Sequence, residues 1–274
     1  MSTVRTPFHL GPALLFCPAD RPDRFAKAAA CADAVILDLE DAVSPASKAA
    51  ARGALIEAEL DPERVIVRVN SIDTDAYVSD MSTLSQTDFR RIMVAKAEGP
   101  KKIGKIDSRF EVIALCETAK GIVNAERIAA LDNVSALMWG AEDLVASLGG
   151  TSSRKPNGRY RDVARVARAQ VLLAAGSRGK AAIDAVHLDI ADTKGLAIEA
   201  GDAAASGFTA TACIHPSQTD IIREAYRPDA RTIGWARAVL SAAKDERGVF
   251  RFNGRMVDEP VLRHARSVLR RAGE

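Results

Sequence analysis

The chain has 274 residues, 47% hydrophobic and 27% charged, enough apolar material for one large core or two smaller ones. Its 38 Lys and Arg against 36 Asp and Glu leave a formal charge of +2 with no long run of either sign, which excludes the electrostatic footprint of a nucleic-acid binder. No stretch approaches the roughly 20 apolar residues of a membrane span, and "MSTVRTPFHLGPALLFCPAD" has no long apolar core after its Arg, so a cytoplasmic protein is expected.

In chain order, short apolar runs alternate with longer alanine-rich segments. "ALLFC" (13–17) and "AVILDL" (34–39) are the first two predicted strands, the second ending in the acids Asp38, Glu40 and Asp41. Three carboxylates so close repel one another and require a positive partner. "SPASKAAARGALIEAEL" then predicts a helix, with Ser44 as N-cap and Pro45 in its first turn. "RVIVRVN" (64–70), "RIMVAK" (91–96), "FEVIALCE" (110–117) and "VSALMWG" (134–140) continue the strands, "VARVARAQVLLAAGSRG" is helical, and "DAVHLD" (184–189) and "ATACIH" (210–215) bring the strand count to eight. Strands apolar almost throughout suit a parallel sheet covered by helices. Eight βα units in this length predict a TIM (β/α)8 barrel. An open doubly wound sheet is the alternative, weakened because no strand is followed by the glycine fingerprint of dinucleotide folds.

After Pro228 the pattern changes to a helix, "ARTIGWARAVLSAAKDE", a hairpin signalled by Asn253-Gly254, and a last helix, "EPVLRHARSVLRRA". The expected organisation is a barrel over residues 1–227 and a C-terminal helical and hairpin cap over 228–274. Cys17, Cys31, Cys116 and Cys213 lack the paired spacing of a zinc or redox motif and read as buried free thiols.

A TIM barrel carries its chemistry at the C-terminal ends of its strands. Those ends supply Asp38, Glu40, Asp41, Arg68, Asn70, Lys96, Glu117, Glu142, Asp143, His187, Asp189 and His215. Glu117 and Asp143 stand on adjacent strands, and two converging carboxylates either share a proton or bind a hard cation. Magnesium suits them, since it takes one or two protein carboxylates and completes its shell with water and substrate oxygens. The lesser alternative is that Asp143 only caps a helix begun by "AEDLVASLG". Arg68 is a guanidinium inside an apolar strand. It either makes a structural salt bridge to the Asp38, Glu40 and Asp41 cluster or also offers its outer edge to a substrate carboxylate. His215, before Pro216, is equally a hydrogen-bonded rim residue or a catalyst.

The blocks "LFCPADRPDRFAKA", "DAVILDLEDAV", "IVRVN", "ALCETAKGIVNAERIA", "MWGAEDL", "AIDAVHLDI", "GFTATACIHPSQ" and "GRMVDEPVLRHA" resemble, in order, those of the citrate lyase beta-subunit-like branch of the HpcH/HpaI aldolase family. That branch includes stand-alone malyl-CoA, citramalyl-CoA and related 3-hydroxyacyl-CoA lyases. The resemblance implies that Glu117 and Asp143 bind Mg2+, with Glu142 beside them at the substrate, and that Arg68 holds the keto-acid or acyl oxygen, backed by Asp38, Glu40 and Asp41. It implies CoA contacts at Phe16, Arg21 and Lys27, an acyl pocket lined by Ile214 and His215, and proton transfer by Asp258 of the cap. Relatives commonly read Pro where Ala95 stands, and His187 stands where many carry Tyr.

The expected activity is therefore a Mg2+-dependent carbon–carbon lyase acting on a 3-hydroxyacyl-CoA thioester, in a homotrimer whose caps are exchanged between subunits. The rivals are an acyl-CoA thioesterase on the same metal site, a citrate lyase subunit acting on an acyl-carrier thioester, and a non-catalytic binding protein.

Overall fold

The structure is a computed structural model that describes residues 8–244, 246 and 248–273. Strands β1 (Ala13–Pro18), β2 (Ala34–Asp38), β3 (Val65–Val69), β4 (Arg91–Val94), β5 (Glu111–Cys116), β6 (Val134–Trp139), β7 (Ala181–Asp184) and β8 (Ala210–Cys213) pair in sequence order. All pairs are parallel, and β8 returns to β1 to close the barrel. Closure leaves no unpaired sheet edge, and the run of buried residues in each strand is what a sheet covered on both faces requires.

The seventh strand differs from expectation. "AAID" forms it, not "DAVHLD" at 184–189, so His187 and Asp189 lie in the following loop. Alanine has weak strand preference and hid the true strand, whereas Val186 and Leu188 imitated one. Leu188 is half exposed, a position the barrel wall does not offer.

Between the strands run helices α1 (Phe25–Cys31), α2 (Lys48–Ile56), α3 (Asp75–Leu84), α4 (Pro100–Ile103), α5 (Ala119–Val123), α6 (Ala125–Ala129), α7 (Ala141–Ser147), α8 (Asp162–Ser177) and α9 (Thr193–Ser206), followed by α10 (Thr219–Tyr226). Ser44 and Pro45 do open the segment before α2, but as a short 3-10 turn in which the Ser44 hydroxyl donates to Ser47 Oγ and accepts from no helix N–H as a cap. Cys17, Cys116 and Cys213 are buried thiols and Cys31 is half-buried.

The barrel interior is filled by Leu14, Ile36, Ile66, Met93, Ile113, Leu115, Met138 and Ile183, with alanines where neighbouring strands crowd. Full burial of each large side chain stabilises by roughly 1.5–3 kcal/mol. The layer is therefore rigid enough to hold charged groups placed above it.

The compact units divide inside α10, at 1–222 and 223–274. The second contains α11 (Ala230–Ala242), strands β9 (Phe250–Phe252) and β10 (Arg255–Val257), and α12 (Glu259–Arg271). The hairpin turns at Asn253 and Gly254, with φ of 48° and 79°, the left-handed pair that a two-residue turn demands. Its apolar side chains Phe250 and Val257 pack with Ala236, Val239, Ala265 and Val268 from the two helices. The helix predicted to reach residue 246 ends at Ala242, and Asp245 lies outside the described residues.

Candidate active site

Side chains of a strand alternate, so every second residue of each barrel strand faces inward. Leu14, Ile36, Ile66, Leu115, Met138 and Ala212 do so. Two residues on, in the same phase, come Phe16, Asp38, Arg68, Glu117, Gly140 and Ile214. The interior thus changes from apolar to charged in one layer at the C-terminal mouth.

Asp38 and Arg68 are direct neighbours in the β2–β3 register. Asp38 Oδ1 accepts from Arg68 Nε at 2.7 Å and Oδ2 from Nη2 at 2.5 Å, a bidentate fork. Asp38 also accepts from the backbone N–H of Glu40 and Ala42, at 2.8 and 3.1 Å, which ties the β2 loop to the same carboxylate. Arg68 Nη1 lies 3.1 Å from Glu40 Oε2, and the guanidinium sits over the Phe16 ring, 5.0 Å from its centroid. Asp41 takes a different partner from the one expected. It is exposed and accepts from Lys96 Nζ at 3.2 Å, while the same ammonium bonds Glu40 Oε1. Burial alone would lower both cations' pKa values, but Asp38 beside Arg68 and Glu40 beside Lys96 more than offset it and hold both above their usual ranges.

Lys96 has φ of 50°, a left-handed conformation uncommon outside glycine. The kink at the end of β4 brings its backbone N–H 3.0 Å from Glu117 Oε1 while its ammonium reaches Glu40, Asp41 and, at 3.7 Å, Asp143. Glu117 is 3% exposed. Burial pushes its carboxyl up to about 8, the charge of Asp143 adds to the shift, and Arg68 opposes it. Across from it, a Cβ on Gly140 would stand 3.0 Å from Glu117 Cβ and Oε2, so this site needs glycine for close approach rather than for φ. Asp143, in the first turn of α7, is half exposed, and the α7 N-cap is Gly140, without a side-chain cap bond. Asp143 is not the N-cap.

Two hard carboxylates, one of them raised in pKa by its burial and further by the charge of the other, form a donor set suited to Mg2+. Among the described residues no group of three or more His, Cys, Asp or Glu could hold a metal ion, and a magnesium site that draws on substrate and water does not require one.

The other sequence candidates are more dispersed. Arg21 is exposed and paired with Asp23 at 3.1 Å, and Lys27 is exposed on α1. The Phe16 ring serves Arg68 and is half-buried. His215 is the N-cap of the 3-10 turn Pro216–Gln218. Its Nδ1 accepts from Ser217 N at 3.2 Å and lies 2.8 Å from Ser217 Oγ. Glu142 turns to Ser153, whose hydroxyl donates to it at 2.5 Å, and it lines a cavity of about 1200 Å³ between α8 and α9 together with His187, Asp189 and Tyr160. The Arg68, Glu117 and Asp143 group is not among the residues lining that cavity. Asp258 caps α12, accepting from Val261 N at 3.3 Å.

Lys96 was visible in the sequence only as a strand-end cation, since nothing local announces its backbone kink. Gly140, read as the end of an apolar run, gave no sign of the carboxylate it accommodates.

A model of the HpcH/HpaI aldolase/citrate lyase family matches residues 13–216. The citrate lyase subunit beta-like protein of Mycobacterium tuberculosis is 56% identical over 264 residues, covering 96% of each chain. The mitochondrial citramalyl-CoA lyase of Homo sapiens is 29% identical over 290 residues, covering 94% of this chain and 84% of that one. The crystal structure of protein CitE from Mycobacterium tuberculosis in complex with magnesium, acetoacetate and coenzyme A is similar with a TM-score of 0.91 at 56% identity, over 97% of this chain and 99% of that one.

Proposed function

The chain belongs to the HpcH/HpaI aldolase/citrate lyase family, and from that premise we propose that it is a Mg2+-dependent carbon–carbon lyase that splits a 3-hydroxyacyl-CoA into a CoA thioester and a keto-acid. The observation that carries the reading is the charged layer at the barrel mouth, where Arg68 is clamped by Asp38 and Glu40 beside the Glu117 carboxyl. The relatives' names support the reaction class, and the complex of the mycobacterial protein with magnesium, acetoacetate and coenzyme A supports the ligands.

In the reaction the substrate hydroxyl loses its proton, its oxygen becomes the carbonyl of the keto-acid, and the electrons of the breaking carbon–carbon bond pass to the thioester as an enolate. That enolate then takes a proton to give the product thioester. Mg2+ held by Glu117 and Asp143 would act as Lewis acid and template for the hydroxyl and carboxylate oxygens. Arg68 commits the N–H of Nε and one of Nη2 to Asp38 and turns Nη1 toward Glu40, so the N–H groups left over on its outer edge meet the developing carbonyl oxygen. Because Asp38 and Glu40 fix the guanidinium before substrate arrives, little reorganisation is needed during the reaction. Arg21 and Lys27 are exposed cations suited to CoA phosphates, and Ile214 and His215 form the wall beside the acyl group. Asp258 of an exchanged cap, in a homotrimer, is the acid that returns the proton.

The test is incubation with malyl-, citramalyl-, citryl- and 3-hydroxy-3-methylglutaryl-CoA in Mg2+, with detection of products. A keto-acid and an intact CoA thioester are expected. Free CoA with a hydroxy diacid would make it a thioesterase, and turnover of an acyl-carrier thioester alone would make it a citrate lyase subunit. Asp143→Asn is expected to abolish both cleavage and stabilisation by Mg2+.

A further inference from the structure

Gln218 is 1% exposed and ends the 3-10 turn that follows β8. Its Oε1 accepts from the backbone N–H of Ile214 at 3.0 Å and of His215 at 3.3 Å. Its Nε2 donates to the carbonyl oxygen of His187, in the loop after β7, at 2.9 Å. His187 is in turn fixed, with Nδ1 2.8 Å from Glu199 Oε2 of α9, and that carboxylate also accepts from Arg154 Nη2 at 3.1 Å. Burial would raise the Glu199 carboxyl, but His187 and Arg154 hold it down at about 2, so the anchor stays charged.

A capping box accounts for half of this arrangement. It explains why the third residue of the turn accepts from the backbone of the N-cap, His215. It does not call for a donor aimed at a different loop, nor for a carboxamide removed from solvent. Ile214 N, the second amide on Oε1, precedes the cap and is also outside that motif.

We propose that Gln218 is a specificity-determining positioning residue, a buried carboxamide that ties the loop after β8 to the loop after β7 and so sets the place of Ile214 and His215 at the barrel mouth. The inference rests on the lyase reading above, in which those two residues form the wall beside the acyl thioester. Ile214 continues the inward phase of β8 and is 36% exposed, so it presents apolar surface that a substrate can cover. Its backbone has no freedom to follow the substrate while Oε1 holds it, and Oε1 is held by the His187 bond on the other side of the same amide. The wall therefore discriminates between acyl groups that differ by a methyl, because it does not yield to the larger one.

The experiment is steady-state cleavage by Gln218→Met, which keeps an unbranched side chain of similar length and removes the carboxamide. Loss of the three carboxamide hydrogen bonds frees the wall and is expected to raise KM for the cleaved thioester roughly tenfold or more. The expected kcat stays within about threefold and the Mg2+ requirement within about twofold, and the preference between malyl- and citramalyl-CoA narrows. Gln218→Glu keeps the acceptor but sets an oxygen against the His187 carbonyl. It is expected to act in the same direction, and it carries the test if Gln218→Met does not fold. Folded variants with wild-type KM and preference, or with a loss in kcat alone, overturn the proposal and leave Gln218 as a turn cap. If the wild-type protein cleaves none of the thioesters, the lyase reading fails first and the positioning inference falls with it.

Discussion

At the scale of single residues, the ion pair that Arg68 makes with Asp38 and the oxyanion role proposed for it separate experimentally. Arg68→Lys is expected to lower kcat/KM by roughly 10², as deletion of an oxyanion donor does, because one ammonium cannot span both Asp38 oxygens and still face the substrate. Full activity in that variant, measured by keto-acid release, would reduce Arg68 to a structural ion pair. Arg68→Ala leaves Asp38 buried without its cation and Glu40 with Lys96 alone, and a stability loss of about 3–5 kcal/mol is expected in urea unfolding. Glu117 predicts a pH dependence. Its carboxyl is raised from 4.5 to about 8, so between those values the folded protein holds a proton that the unfolded chain has released. The metal-free protein is therefore expected to lose stability as pH rises through that window. As the proposed ligand, Glu117 would have to give up that proton to Mg2+, so Mg2+ affinity is expected to rise about tenfold per pH unit below 8 and level off above it. Calorimetric titration at pH 6, 7 and 9 checks this, and an affinity flat with pH would remove Glu117 from the metal site. Arg68 and Glu117 were legible as candidates because a charge at the end of an apolar strand is locally conspicuous. Lys96 had no legible role, since its work depends on a left-handed backbone that the residues around it do not signal.

At the scale of elements, each strand carries the interior phase upward until it meets the mouth, and the residue there inherits its direction from the apolar positions below it. Gly140 shows how tightly neighbouring strands then fit. Gly140→Ala is expected to push the Glu117 carboxylate from its place, weakening Mg2+ binding roughly tenfold and costing about 1–3 kcal/mol of stability, as overpacking does. Thermal unfolding with and without Mg2+ measures both, and a wild-type Mg2+ shift in the variant would mean the strand ends can separate freely. Seven strands and the Asn253-Gly254 hairpin followed their local patterns, because β-branched runs and a left-handed turn pair are short-range signals. The seventh strand did not, because "AAID" is chosen by the space available between its neighbours in the barrel and not by its own preference.

At the scale of the whole molecule, the prediction concerns Asp258 and assembly. Asp258→Asn preserves the cap on α12, since asparagine is as good an N-cap as aspartate, so its loss of activity would report chemistry rather than unfolding. If the proposed exchange of caps is right, unfolding and reassembling a mixture of Asp258→Asn and Asp143→Asn is expected to restore partial activity, because in mixed oligomers one site can contain both intact residues. A mixture that stays inactive would place the acid in its own subunit's site and refute the exchanged cap. The apolar runs, their number and their order were enough to determine a parallel barrel with a separate C-terminal hairpin and helices, because burial pattern and turn chemistry act over a few residues. The sequence also determined which residue types stand at the strand ends. Only the tertiary structure decided how they combine: that Asp41 turns to Lys96, that Glu142 turns away to Ser153, and that Gln218 joins two loops. Those choices depend on distances between segments 11 to 55 positions apart in the chain, which closing the barrel sets and which no local preference encodes.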